Sequence, residues 1–152
     1  SALIHPRLTY ILGIVWDIIR NKSFYYNVDI DGRDYSGDYS MIVCFNGNCM
    51  GGNVFPVPHA RPDDGQLEIV FFKKTSMFRK LSGLGHFSKG QLDKLKDCVF
   101  TAAGRNVTIC CKNDFVINAD GEGLSSKDGK ASIRLLPSKL NFIVPEGVEF
   151  IQ

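Results

Sequence analysis

Leu67-Glu68-Ile69-Val70-Phe71-Phe72-Lys73 is the stretch on which the fold turns. It is a near-continuous apolar run, which reads as a β-strand covered on both faces rather than one that alternates toward water. Asp64-Gly65 immediately before it supplies the turn that feeds the strand. Working outward toward the N-terminus, residues 39–45 read as a second strand, closed by Asn46-Gly47. Residues 24–30 read as a third, followed by the hairpin turn Asp31-Gly32. Still earlier, Leu8, Ile11, Leu12, Val15, Ile18 and Ile19 recur at helical spacing, so residues 5–20 are expected to form an amphipathic helix.

Toward the C-terminus, two short helices are expected over 76–84 and 88–97, the second with Ser88 as its N-cap. Strands at 98–102 and 106–112 flank a turn at Gly104-Arg105. Further strands are expected at 115–119, 131–136 and 140–144, with 121–130 as a flexible polar loop. Many short strands at close spacing predict a mainly-β fold: a β-sandwich with an N-terminal helix and one or two short helices. No internal repeat, low-complexity tract or linker divides residues 1–152, which are read as a single domain.

With 152 residues, 44% of them hydrophobic, the chain can bury one respectable core. A net charge of +2 gives no bulk argument for nucleic acid. The longest bilayer candidate, residues 10–19, is interrupted by Asp17 and is too short to span. The start Ser1-Ala2-Leu3 has neither a basic region nor a cleavage signal, and without an initiator Met it is expected to be a processed or recombinant start. Cys44, Cys49, Cys98, Cys110 and Cys111 are odd in number, with neither disulfide spacing nor a Cys-x-x-Cys zinc pattern. They are expected to be reduced packing residues, which implies a cytoplasmic address.

Asp120-Gly121-Glu122 follows the strand-like Phe115-Val116-Ile117-Asn118. A carboxylate beside a strand end can act as a general base toward a hydroxyl; the same three residues also read as a plain turn with a solvated acid. The upstream pattern is longer: Asn46-Gly47, Gly51-Gly52-Asn53, Pro56, Pro58-His59-Ala60, then Asp64-Gly65-Gln66-Leu67-Glu68. In order and spacing this pattern, with Asp120-Gly121-Glu122 and the final run from Pro137 to Pro145, resembles the C-terminal domain of the diacylglycerol kinase family of lipid kinases, in its soluble bacterial form. The departures are Asn53 where the family has a third glycine and Glu68 where it has Asp. NAD kinase, whose C-terminal β-domain is distantly similar, fits these motifs less well.

The resemblance implies an ATP-dependent transfer to a lipid hydroxyl such as that of diacylglycerol. Glu122 would accept the hydroxyl proton, with Asp120 as a supporting carboxylate. A structural Mg²⁺ would be held by the Asp64 side chain and by the backbone carbonyls of Arg61 and Gln66, a donor set suited to a hard cation. ATP would be bound mainly by an N-terminal domain of the same parent chain. That domain's Gly-Gly-Asp-Gly-Thr motif is not in this sequence, so the fragment alone is expected to be inactive. The competing reading is a non-catalytic lipid-binding or regulatory β-domain on the same scaffold. His59 and His86 read as ordinary loop or packing residues. Lys73, Lys74, Arg79, Lys80, Lys89, Lys94 and Lys96, with Asp93 as the sole acid among them and Met77, Phe78, Leu81 and Phe87 interspersed, allow peripheral contact with an anionic membrane or else a solvated helical face.

Overall fold

The computed structural model describes residues 22–50, 54–126 and 128–140. The helix expected over 5–20, the run 51–53 and residues 141–144 of the last expected strand lie outside them; Leu140 itself is not in a strand. In chain order the elements are β1 (Phe24–Ile30), β2 (Arg33–Asp34), β3 (Gly37–Phe45), β4 (Leu67–Lys73), α1 (Met77–Ser88), a 3-10 turn (Leu92–Leu95), β5 (Val99–Gly104), β6 (Asn106–Cys111), β7 (Val116–Ala119), β8 (Glu122–Ser125) and β9 (Lys130–Arg134). The main sheet runs β5-β4-β3-β1-β6-β9, with β2 added to β1, and every pairing is antiparallel. β7 and β8 pair with each other in a separate ribbon.

Strand periodicity explains the core. Val28 lies opposite Ile109 and Ile30 opposite Val107, so these four buried residues share one face of the sheet while Asn27 and Asp29 face water. Leu67, Ile69 and Phe71 of β4 join the same cluster. Phe71 stacks on Phe100 with ring centroids 4.6 Å apart and meets Tyr39 at 4.9 Å. The alternate residue Val70 belongs to a second cluster with Val57, Ala60, Leu95 and Val99, and Phe72 and Phe87 pack against it. β4 is therefore covered on both faces, as its continuous apolar run predicts. Together the two layers give the mainly-β, sandwich-like fold.

The helical region differs from expectation. A single helix begins at Met77 behind Ser76, whose hydroxyl accepts the Arg79 N–H, and runs on to Ser88. Ser88 is thus the end of a helix and not the N-cap of a second; its hydroxyl donates to the Gly85 carbonyl. Gly90, with φ +68°, breaks the chain before the 3-10 turn. A Cβ there would stand 2.2 Å from the Pro58 ring, so this position demands glycine. The loop expected over 121–130 is also partly ordered, because Glu122–Ser125 form β8.

Candidate functional site

The Asp64 loop is built from local turn chemistry. One carboxylate oxygen of Asp64 accepts the Gln66 N–H at 2.8 Å, which fixes the side chain over the turn. Its neighbour Asp63 is taken by Arg61 in a two-pronged ion pair, with both N···O distances 3.0 Å. Asp64, Arg61 and Gln66 are all exposed.

A longer connection fixes this loop to the sheet. The Arg105 guanidinium donates through Nε to the Gly65 carbonyl at 2.9 Å. The backbone N–H of Arg105 itself donates to Asp31 Oδ2 at 2.7 Å, and Asp31 Oδ1 accepts both the N–H (3.0 Å) and the side-chain amide (2.9 Å) of Asn106. These hydrogen bonds, led by that from the Arg105 N–H and followed by the Asn106 amide, hold the Asp31 carboxyl below its ordinary range. Gly104 makes the approach possible: a Cβ there would lie 2.3 Å from Ile30 Cγ2 and 2.7 Å from Asp31 Oδ2. Beside this junction a cleft of about 270 Å³ is lined by Asp31, Arg33, Gln66 and Arg105, among others. Sequence reasoning treats Asp31 and Arg105 only as turn residues. Their partnership spans 74 positions and leaves no local signal.

Asp120 and Glu122 sit together at the tip of the β7–β8 hairpin. Ala119 pairs with Glu122, so Asp120-Gly121 is a two-residue turn with φ of 50° and 96°. Asn118 Oδ1 accepts the Gly121 N–H at 3.0 Å. The hairpin is pinned at its base. Phe115 meets Tyr26 edge-on at 5.7 Å, its N–H donates to the buried Ser126 hydroxyl, and the Ser126 N–H returns a bond to the Phe115 carbonyl. At the other end both acids are exposed and, among the described residues, neither carboxylate has a hydrogen-bond or ion-pair partner. No such contact links them to the Asp64 loop either. The arrangement offers a proton-accepting carboxylate on a short, anchored arm.

Both described histidines have polar neighbours. His59 faces Glu68 at 3.6 Å, and His86 Nδ1 lies 2.8 Å from Gln91 Oε1. Burial pushes the Cys44 thiol up to about 11, so it is no nucleophile, whereas Cys49 is exposed rather than packed as expected. Among the described residues no group of three or more His, Cys, Asp or Glu side chains could hold a metal. A cation at Asp64 would therefore rest on one carboxylate, backbone carbonyls and water. That set fits Mg²⁺, which keeps several waters, and does not fit zinc. No helix among the described residues is long and apolar enough to cross a membrane.

Residues 1–144 match the family model described as the YegS C-terminal NAD kinase beta sandwich-like domain. A protein of Staphylococcus haemolyticus named "putative lipid kinase" is 26% identical, the match covering 96% of this chain and 47% of that protein. A counterpart of the same name from Staphylococcus aureus strain RF122 is 24% identical over 94% of this chain and 46% of its own length. The chain thus spans about half the length of the curated relatives it matches. Two solved structures from Bacillus anthracis share the fold. One, titled a "putative diacylglycerol kinase", has a TM-score of 0.63 at 23% identity and covers 84% of this chain and 43% of that one. The other, titled a diacylglycerol kinase, has a TM-score of 0.60 at 21% identity over 82% and 44%.

Proposed function

The chain belongs to the family of YegS C-terminal NAD kinase beta sandwich-like domains, and from that premise we propose that it is the lipid-side domain of an ATP-dependent lipid kinase. The observation that carries this reading is the exposed Glu122 carboxylate on a pinned hairpin, without a hydrogen-bond or ion-pair partner among the described residues, in a chain about half as long as relatives named lipid kinases. Residues 1–152 act as a single domain, and the ATP-binding half is a separate N-terminal domain of the parent chain. The substrate is a lipid alcohol such as diacylglycerol, met at the cytoplasmic face of a membrane.

In this mechanism the lipid hydroxyl oxygen attacks the γ-phosphorus of ATP, its bond to ADP breaks, and Glu122 takes the hydroxyl proton. Phosphoryl transfer asks the protein mainly for position and charge compensation, with a carboxylate to orient the nucleophile. The two-residue turn holds Asp120 at the same hairpin tip as Glu122, as the supporting carboxylate. The hairpin base at Phe115 and Ser126 fixes the arm that reaches the second domain. Asp64 would hold Mg²⁺ together with the Arg61 and Gln66 carbonyls, the cation stiffening the loop and adding positive charge beside the cleft. Arg105 sets that loop's position through Gly65.

The test uses the full-length protein with diacylglycerol and MgATP. Glu122→Gln is expected to lower turnover by about 10²–10⁴-fold, the ordinary worth of a positioned general base, with an unchanged melting temperature. Normal turnover would remove Glu122 from the chemistry. For the cation, Asp64→Asn is expected to abolish the rise in melting temperature that Mg²⁺ produces; an undiminished rise excludes Asp64 as a ligand.

A further inference from the structure

α1 carries its apolar strip on the outside. Among its residues Gly83 is the buried one, and a Cβ there would stand 3.0 Å from Leu95 Cδ2, so Gly83 marks the inward side. Arg79 and His86, four residues before and three after, share that side. They are tied to Asp97 and Gln91 respectively. The far side presents Phe78, Leu81 and Leu84, which are 78%, 43% and 43% exposed. Spaced by three, they are neighbours on the helix surface and form one strip. A surface helix ordinarily turns such a strip toward the core.

The charges around the strip say what covers it. Lys74 precedes the helix and Lys89 caps its end, both exposed. No Asp or Glu occurs between Glu68 and Asp93, and the nearby Asp97 is already paired with Arg79. A second copy of the same face would set lysine against lysine. Hydrocarbon beneath a layer of negative headgroups matches both the apolar strip and these cations, neither of which has an ion-pair partner among the described residues. We infer that the outer face of α1 is a membrane-docking surface, seating Phe78, Leu81 and Leu84 in an anionic bilayer with Lys74 and Lys89 at the headgroups. It shares no residue with the Asp64 loop or the Asp120–Glu122 tip and stands without the phosphoryl-transfer reading.

The test is sedimentation of the full-length protein with vesicles of phosphatidylglycerol and phosphatidylcholine in equal parts, against phosphatidylcholine alone. Binding is expected to the mixed vesicles and to be much weaker on the neutral ones. The double variant Phe78→Ser/Leu81→Ser is expected to lose about tenfold or more in vesicle affinity, and Lys74→Glu/Lys89→Glu about tenfold or more on mixed vesicles. All four residues are exposed, so folding should survive, and Phe78→Trp offers a second readout: its emission should shift to the blue on mixed vesicles. Unchanged binding by the Phe78/Leu81 variant, an unmoved Trp emission, or equal binding to neutral vesicles would overturn the inference. So would a dimer in solution that Phe78→Ser dissociates, since the occupant would then be a second copy. Turnover of a short-chain, water-dispersed diacylglycerol is independent of this surface, so loss of kinase function and loss of docking are read separately.

Discussion

Asp31-Gly32 and Asp120-Gly121 are the same device in two settings. Each is a two-residue turn closing an antiparallel hairpin, and each has positive φ at both positions. They differ in what the carboxylate meets. Asp31 lies against the β5–β6 turn and accepts three N–H groups from Arg105 and Asn106. Asp120, with Glu122 beside it, reaches past the edge of its ribbon and meets nothing among the described residues. The first acid is spent on architecture, since it holds Arg105 and, through it, the Asp64 loop. The second pair is exposed at its hairpin tip and, under the proposed function, is the pair that serves the reaction. An Asp-Gly turn in a sequence specifies a backbone; whether its acid is scaffold or reagent depends on residues that can be 74 positions away.

The contrast can be broken most severely at Gly104. Gly104→Ala pushes a methyl into Ile30 and Asp31 and is expected to cost about 1–3 kcal/mol, read as a lower denaturant midpoint at unchanged slope. Next comes Asp31→Asn, which presents an amide where three donors converge. It should lower the melting temperature clearly, while Asp120→Asn leaves it in place. Acid sharpens the comparison further. The folded-state pKa values of Asp31 and Asp97 are depressed, the latter to about 2 by the Arg79 guanidinium. Their contribution to stability is therefore present above the unfolded value of about 3.9 and is lost as pH falls through the folded one. Stability is expected to drop between about pH 4 and pH 2, less steeply in the Asp31→Asn chain, as followed by urea titrations across that range. Smallest of all, Val116→Thr on the exposed β7 should change stability by no more than about 0.5 kcal/mol.

Much of the scaffold was legible because its signals are local. The apolar run at β4, the β1 strand with its Asp-Gly turn, and the β5–β6 turn at Gly104-Arg105 each follow from period and turn chemistry, and they appear where expected. The helical region was misread because Ser76 and Ser88 are both good capping residues. Gly83 and Gly85 are weak helix formers, yet α1 runs through both, with Gly83 packed against Leu95. β8 was missed because Glu122-Gly123-Leu124-Ser125 has no β-branched residue; pairing with β7 supplies what propensity does not. At the site, the residue types of Asp64, Asp120 and Glu122 were visible in the sequence. The Asp31–Arg105–Gly65 connection was not, since it exists only once the sheet brings β1 beside β6.

The most direct test of the contrast is turnover per folded molecule of full-length Asp31→Asn and Glu122→Gln, measured side by side with diacylglycerol and MgATP at a temperature where both are folded. The account predicts that Glu122→Gln melts like the parent and loses turnover by orders of magnitude, while Asp31→Asn melts earlier and loses far less turnover per folded molecule. A Glu122→Gln protein that turns over normally, or one that loses activity only in proportion to its stability, would contradict it.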